Sequence, residues 1–237
     1  MNSAGPGTVS GVVVAVDGTS GSGKSSTSRG VARRLGLRYL DTGAMYRAVT
    51  WWMLRHGVDV HDPAAVAADC ERPRIESGTD PEKPTITVDG EDVAAAIRGD
   101  DVNAAVSPVS AVPEVRARML VGQRAIIEDA LRTDGGIVVE GRDIGSVVWP
   151  QAEVKVYLSA DAGARARRRA LEEGGSDVDA TRESLLARDQ IDSGRAVSPL
   201  VLAEGAVHVD TTDLTLDQAI ETIVAMATSA RSEVGAP

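Results

Sequence analysis

Gly18-Thr19-Ser20-Gly21-Ser22-Gly23-Lys24-Ser25 is the stretch on which the fold of this chain turns. It fits G-x-x-x-x-G-K-[ST], the phosphate-cradling P-loop. Its flanks supply the context that the motif requires. Val12-Val13-Val14-Ala15-Val16 precedes it and reads as a buried strand. Helix-compatible sequence follows it as far as Leu35, with Gly36 as a stop. Glycines let the backbone bend so that successive N–H groups point at phosphate oxygens, and the following helix adds its positive N-terminal end. Gly18, Thr19, Ser20, Gly21, Ser22 and Gly23 form the cradle; Lys24 has the reach for the β- and γ-phosphates, and Ser25 offers a hydroxyl to Mg²⁺. A nucleoside triphosphate is the expected ligand.

The composition sets bounds around that ligand. The 237 residues are 43% hydrophobic, enough for one ordinary domain with insertions. Phe is absent and Trp and Tyr number three each, so the core must be mostly aliphatic. A net charge of −10 argues against nucleic acid or an anionic membrane as the main partner. An anionic substrate must then be held by a local cluster of Arg and Lys. Cys70 is the single cysteine, so no internal disulfide forms, and a lone thiol fits the reducing cytoplasm. No apolar run approaches the roughly 18 residues of a membrane span. Met1 to Ser10 lacks the basic start of a signal peptide and reads as a frayed lead-in.

Strand-like and helix-like segments alternate along the chain. Leu37-Arg38-Tyr39-Leu40 reads as a second strand, and Asp41 and Thr42 can cap a helix from about Ala44 to His56. Ile137 to Glu140, Val154 to Leu158 and Val207 to Asp210 read as further core strands. Helices are expected over Pro113 to Leu131 and from Leu214 to about Ala230. This is an α/β pattern, a parallel sheet wrapped by helices. Two stretches break it. Asp62 to Ser107 is irregular and acidic, with a small hairpin turning at Asp89-Gly90. Ser159 to Pro199 is charge-dense and helical, with Gly174-Gly175 as a flexible tip, and reads as a mobile lid.

Three constellations carry chemistry. Asp41-Thr42-Gly43-Ala44-Met45-Tyr46-Arg47 follows the second strand at the carboxyl edge of the sheet, where ligands of open parallel sheets bind. Taken alone it is a capped helix with a surface Arg; beside a P-loop, Arg47 suits an acceptor phosphate. Glu140-Gly141-Arg142-Asp143-Ile144-Gly145 ends another strand at that edge. Arg142 suits bidentate phosphate binding, and Asp143 can accept from a base amino group; the plainer alternative is an Arg142–Asp143 ion pair. Arg188, Asp192 and Arg195 have the spacing of one helix face, which is as readily a solvated salt-bridge face. Of Arg165, Arg167, Arg168 and Arg169, at least two should be plain surface charge, since a helix cannot aim all four at one ligand. Arg165 and Arg169 are the candidate ATP contacts among them. Two anionic ligands held this way imply phosphoryl transfer, with positioning and charge neutralisation as the main catalysis. His56, His61 and His208 lie in no catalytic-looking motif, which favours a phosphate acceptor, already ionised at pH 7, over a hydroxyl.

In Asp17 to Lys24, Asp41 to Arg47, Gly141 to Gly145 with Val147-Val148 beyond, and Arg188 to Arg195 running into Ala196-Val197-Ser198-Pro199-Leu200, the chain resembles the bacterial cytidylate kinases of the nucleoside-monophosphate kinase group. The P-loop is shared by many families; the four segments in this order are specific and cover nearly the whole length. The resemblance implies a P-loop NTPase core with an inserted small α+β subdomain and a helical lid. Its boundaries would be core at 9–61, CMP-binding insert at 62–107, core at 108–158, lid at 159–199 and core at 200–230, with 1–8 and 231–237 disordered. It implies ATP, Mg²⁺, and CMP or dCMP as ligands; a cytoplasmic monomer is expected separately, since the lone thiol fits the cytoplasm and nothing suggests a large exposed apolar face. Arg47, Arg142 and Arg195 match positions that bind the CMP phosphate, and Thr42 and Tyr46 match residues lining that site. Ser107, Arg116 and Asp143 match the set that reads cytosine, and Arg188 and Asp192 match residues near the sugar hydroxyls. Lys24, Arg142, Arg188 and Arg195 would neutralise the transferring group. Thr19 stands where relatives often have Pro, and Thr42 replaces a common Ser. Ser25-Ser26 follows Lys24 where some have Gly-Thr, so Ser25 or Ser26 would supply the hydroxyl linked to the metal. The alternatives are a P-loop kinase for another nucleotide or a hydroxylated metabolite, and a GTP-dependent switch. The switch needs Asn-Lys-x-Asp, and neither Asn2 nor Asn103 precedes a lysine.

Overall fold

The computed structural model describes residues 11–172, 175, 177–195 and 197–234. The readings of Met1 to Ser10, of Gly174, of Ala196 and of residues 235–237 lie outside them. Five parallel strands form the central sheet, in the order β2-β6-β1-β7-β8. These are β1 (Val12–Gly18), β2 (Arg38–Asp41), β6 (Gly136–Glu140), β7 (Val154–Ser159) and β8 (Val207–Asp210). Every residue of β1 is buried, which is why it reads as an unbroken apolar run: helices cover both faces of a parallel sheet. Alternation sorts its side chains. Val13 and Ala15 join a core containing Ala48 and Val49 of α2 (Thr42–Arg55), Val102 and Val109 of α4 (Asp100–Ala111), and Val115 and Ile127 of α5 (Pro113–Thr133). Val12, Val14 and Val16 join the opposite core, with Val31 of α1 (Lys24–Leu35) and Ile223 of α8 (Leu216–Val234).

The helix ends follow from local chemistry. Gly36 closes α1 with a left-handed φ of 64°, and Asp41 caps α2 by accepting from Ala44 N. The stretch after α2 is more ordered than its composition suggests. It holds α3 (Pro63–Asp69), capped by Asp62, and a three-stranded antiparallel sheet of β3 (Ile75–Ser77), β4 (Ile86–Val88) and β5 (Glu91–Asp92). The expected hairpin is present: Asp89 and Gly90 have φ of 52° and 86°, as a tight two-residue turn requires. Its Ile86 and Val88 share the core of α2. Ser107 does not end an irregular stretch but lies inside α4, which carries Pro108 within it. The charge-dense stretch forms α6 (Ala162–Glu172) and α7 (Val178–Ser193). The closing helix starts at Leu216 and runs to Val234, past the Ala230 expected, so residues 231–234 are helical.

Candidate active site

The P-loop leaves β1 at Gly18 and enters α1 at Lys24. At Gly18, with φ of 147°, a Cβ would lie 2.0 Å from the Leu158 carbonyl oxygen, so only glycine fits. Lys24 is buried and its Nζ donates to Thr19 O at 2.6 Å. Burial, then the nearby Arg142 charge, holds its pKa well below the usual lysine range. Ser25 Oγ donates to Glu140 Oε2 at 3.1 Å, and Tyr39 OH donates to Glu140 Oε1 at 2.5 Å. Burial, then Asp41, pushes the Glu140 carboxyl upward.

The loop after β6 carries Arg142 and Asp143, and they do not pair with each other. Arg142 donates through Nε to Asp192 Oδ2 at 2.7 Å, through Nη1 to Gly18 O at 3.0 Å and through Nη2 to Ser20 Oγ at 2.6 Å. Burial opposes its charge most strongly, but the carboxylates of Asp192, Asp189 and Glu140 together raise its pKa. Asp143 is ion-paired with Arg116 of α5, and both are buried. Arg116 Nη1 also donates to Ser110 O at 3.1 Å, and its guanidinium lies 5.3 Å from the Tyr46 ring centroid. Behind the loop, Asp17 accepts from Ile144 N and Gly145 N, each at 2.8 Å.

Helix α7 closes the site. Asp192 takes Arg142 on one oxygen and Arg195 on the other, and Arg195 Nη2 donates to Ser110 Oγ at 2.9 Å. Burial would raise the Asp192 carboxyl, but Arg142 and Arg195 pull it below its ordinary value. Asp189 accepts from Ser20 N at 2.9 Å and pairs with Arg165, whose Nη1 donates to Ser20 O at 3.0 Å. Across the cleft Arg47 donates to Ile97 O at 3.0 Å and Asn103 Oδ1 at 2.8 Å. Burial, then Arg188, lowers Arg47 to about 9; burial, then Arg142, lowers Arg188 to about 10. A cation desolvated among other cations is stabilised by an anion placed beside it. Among the described residues, Nε of Arg116, Arg188 and Arg195 are buried donors with no partner. These elements surround one cleft, with about 1080 Å³ of empty space including its open mouth.

Residues 14–229 match the family model described as cytidylate kinase. This chain belongs to the cytidylate kinase family. It is 57% identical over 225 residues to a cytidylate kinase of Streptomyces avermitilis, covering 95% of this chain and 96% of that one. It is 58% identical over 217 residues to one of Streptomyces griseus (92% and 93%), and 56% over 214 residues to one of Nocardia farcinica (89% and 90%).

In this kinase all ten residues expected at the acceptor side line the cleft: Thr42, Tyr46, Arg47, Ser107, Arg116, Arg142, Asp143, Arg188, Asp192 and Arg195. From the donor set Ser20, Gly21, Lys24, Ser25 and Arg169 line it, whereas Gly18, Thr19, Ser22, Gly23, Ser26 and Arg165 do not. Two expectations need correction. Arg195 is not on the face of a helix, because α7 ends at Ser193 with Gly194 as its cap; it reaches Asp192 from beyond the end. Of the four arginines on α6, only Arg167 is exposed; Arg168 is tied to the carbonyls of Thr211 and Thr212, so fewer are surface charge than expected. Asp17, Arg98, Ser110, Glu140 and Asp189 were not singled out for the site. Asp17, Glu140 and Asp189 stood inside quoted segments, and for Glu140 a buried carboxylate at the end of a strand beside the P-loop strand was the signal.

Proposed function

We propose that this chain transfers the γ-phosphoryl group of ATP to CMP or dCMP, giving ADP and CDP or dCDP. The observation that carries this reading is the presence in one cleft of Lys24 and Ser25 of the P-loop with the buried Arg116–Asp143 pair. The loop amides and Lys24 hold the β- and γ-phosphates. Lys24 is depressed by burial, and phosphates beside it favour its charged form. Ser25 Oγ, with Glu140 beside it, fits a hard cation that prefers oxygen ligands. Among the described residues no cluster of three or more His, Cys, Asp or Glu can cage a metal, so Mg²⁺ would arrive with the triphosphate and supply charge neutralisation there.

Arg47, Arg142 and Arg195 bind the CMP phosphate in a pocket lined by Thr42 and Tyr46. Ser107, Arg116 and Asp143 read the base. Cytosine offers an N4 donor to the Asp143 carboxylate, and its O2 and N3 accept from Arg116, whose Nε lacks a partner. Uracil reverses the polarity at positions 3 and 4 and leaves buried groups unpaired, a cost of about 2–5 kcal/mol. Arg188 and Asp192 meet the sugar. Arg142, bound to Gly18 and Ser20 of the P-loop, stands between donor and acceptor and stabilises the transferring group with Lys24, Arg188 and Arg195. The acceptor phosphate is ionised at pH 7, so the reaction needs no general base. The acceptor-binding insert starts at residue 62 and runs through α4, past the boundary expected at 107, and 159–199 forms the lid, Arg165 and Arg169 being its donor-side arginines. The enzyme works as a cytoplasmic monomer.

An ADP-release assay with Mg²⁺-ATP and CMP, dCMP, UMP, AMP, GMP and dTMP tests the reading. Strong turnover with CMP and dCMP alone is expected. Equal turnover with UMP discards the base-reading set, and silence across the panel discards the activity.

A further inference from the structure

We infer that Asp17 is a positioning residue for acceptor recognition, its carboxylate fastening the loop that presents Arg142 and Asp143 to the end of the P-loop strand. The inference rests on the proposed use of those two residues on CMP. Asp17 is the next-to-last residue of β1 and only 4% exposed. Its two oxygens accept from consecutive amides, Oδ1 from Ile144 and Oδ2 from Gly145, each at 2.8 Å. Two bonds to adjacent peptides fix both the place and the tilt of the backbone that follows Asp143.

The reason for such a remote carboxylate lies in the turn it serves. Ile144–Val148 is a single π-helical turn, and the residue at its N-terminal cap is Asp143. Helix starts leave N–H groups without partners, and an aspartate at the cap ordinarily accepts from them. Asp143 does not; its carboxylate is turned to Arg116. Asp17 supplies the missing acceptors from a strand 127 residues away. The substitution of one aspartate for the other leaves Asp143 free to face the cleft. It also couples the two halves of the site, because the residue after Asp17 is Gly18, the first of the P-loop, and Gly18 O accepts from Arg142 Nη1. Burial pushes the Asp17 carboxyl up to about 6, and the hydrogen bonds from the Gly145 and Ile144 amides oppose that rise by stabilising its charge.

The test combines wild-type amide hydrogen exchange with steady-state kinetics of Asp17→Asn. In the unliganded wild type, the Ile144 and Gly145 amides should be as protected as those of β1. Free exchange there, with protection gained only on adding CMP, would mean that substrate orders the loop and would overturn the inference without any variant. In Asp17→Asn the KM for CMP should rise about tenfold or more and the preference for CMP over UMP should fall, with the KM for ATP within about twofold. Unchanged kinetics, or a fall in kcat alone with both KM values and the CMP preference intact, would also overturn it. A wild type that ignores CMP but protects both amides would sink the proposed activity and leave the tie itself standing, so the two failures are distinguishable.

Discussion

Asp143 and Asp17 lie close together, and their environments set opposite tasks for them. Asp143 shares a buried ion pair with Arg116, so removing its charge strands a guanidinium whose Nε already lacks a partner. Asp143→Asn keeps the shape and replaces one oxygen with an N–H donor. That donor suits uracil O4 and opposes cytosine N4. We expect kcat/KM for CMP to fall by about a hundredfold and the UMP/CMP ratio to rise by at least about tenfold. Measuring both acceptors on one preparation checks this, and equal losses for CMP and UMP would leave Asp143 a merely structural partner of Arg116. Asp17 makes a stability prediction with a definite sign. Its folded pKa of about 6 lies above the ordinary 3.8, so the folded protein binds this proton more tightly than the unfolded chain. The resulting stability is complete below about pH 3.8 and is lost as pH rises through about 6, at most about 3 kcal/mol from this group. Urea titrations of the wild type and Asp17→Asn at pH 4 and pH 7 isolate that share; an identical pH dependence in both would refute it.

Glycines at two element boundaries separate a shape requirement from a packing requirement. Gly36 ends α1 at φ 64° with nothing within 4 Å of where a Cβ would stand, so Gly36→Ala costs only the left-handed backbone, about 1–2 kcal/mol. Gly18 has a positive φ and, in addition, the Leu158 carbonyl at 2.0 Å, a backbone atom that cannot step aside. Gly18→Ala should cost about 3 kcal/mol or more in a denaturant titration and should displace the P-loop, raising the KM for ATP. Similar losses at both sites would count against the clash. The lid helices make a different prediction. Asp189 and Arg165 grip the N–H and C=O of Ser20, so α6 and α7 are held on the donor loop through one residue. Asp189→Ala leaves Arg165 buried without its carboxylate. Amide exchange should quicken across α6 and α7 while the strands of the central sheet stay protected; an unchanged lid would show that the grip contributes nothing. Legibility in the sequence divides along similar lines. Strands buried on both faces announce themselves as apolar runs, and α1 and α2 carry their own caps. Helix α4 did not, because Pro108 interrupts its pattern, and β3 did not, because three residues ending in Glu76 and Ser77 show no alternation worth reading.

At the scale of the molecule, the acceptor residues were legible because each sits in a short motif at a strand end, and the parallel sheet gathers those ends at one edge. Asp17 and Asp189 stood inside two of the quoted segments, but their roles were not legible, because their partners include backbone amides 127 and 169 residues away, and a contact with a main-chain group leaves no pattern in residue types. The same gathering produces a contrast in charge. The chain carries a net −10, yet among the described residues eight cationic side chains line the cleft against four acidic ones. A nucleotide anion is therefore repelled by the whole and attracted by the cleft, whose low-dielectric walls focus the field. Salt acts on the two terms differently. The Debye length falls from about 10 Å at 0.1 M to about 3 Å at 1 M, which screens the exposed surface and the mouth of the cleft more than the buried pairs. Over that range the KM for CMP should rise several-fold, on the order of 1 kcal/mol, while the inhibition constant of cytidine stays nearly constant, because it presents the same base without the phosphate. Measured side by side, the two constants separate the pull of the arginines from the reading of the base. If cytidine weakens as steeply as CMP, salt is loosening the Arg116–Asp143 pocket itself, and the cationic cleft is not what draws the acceptor in.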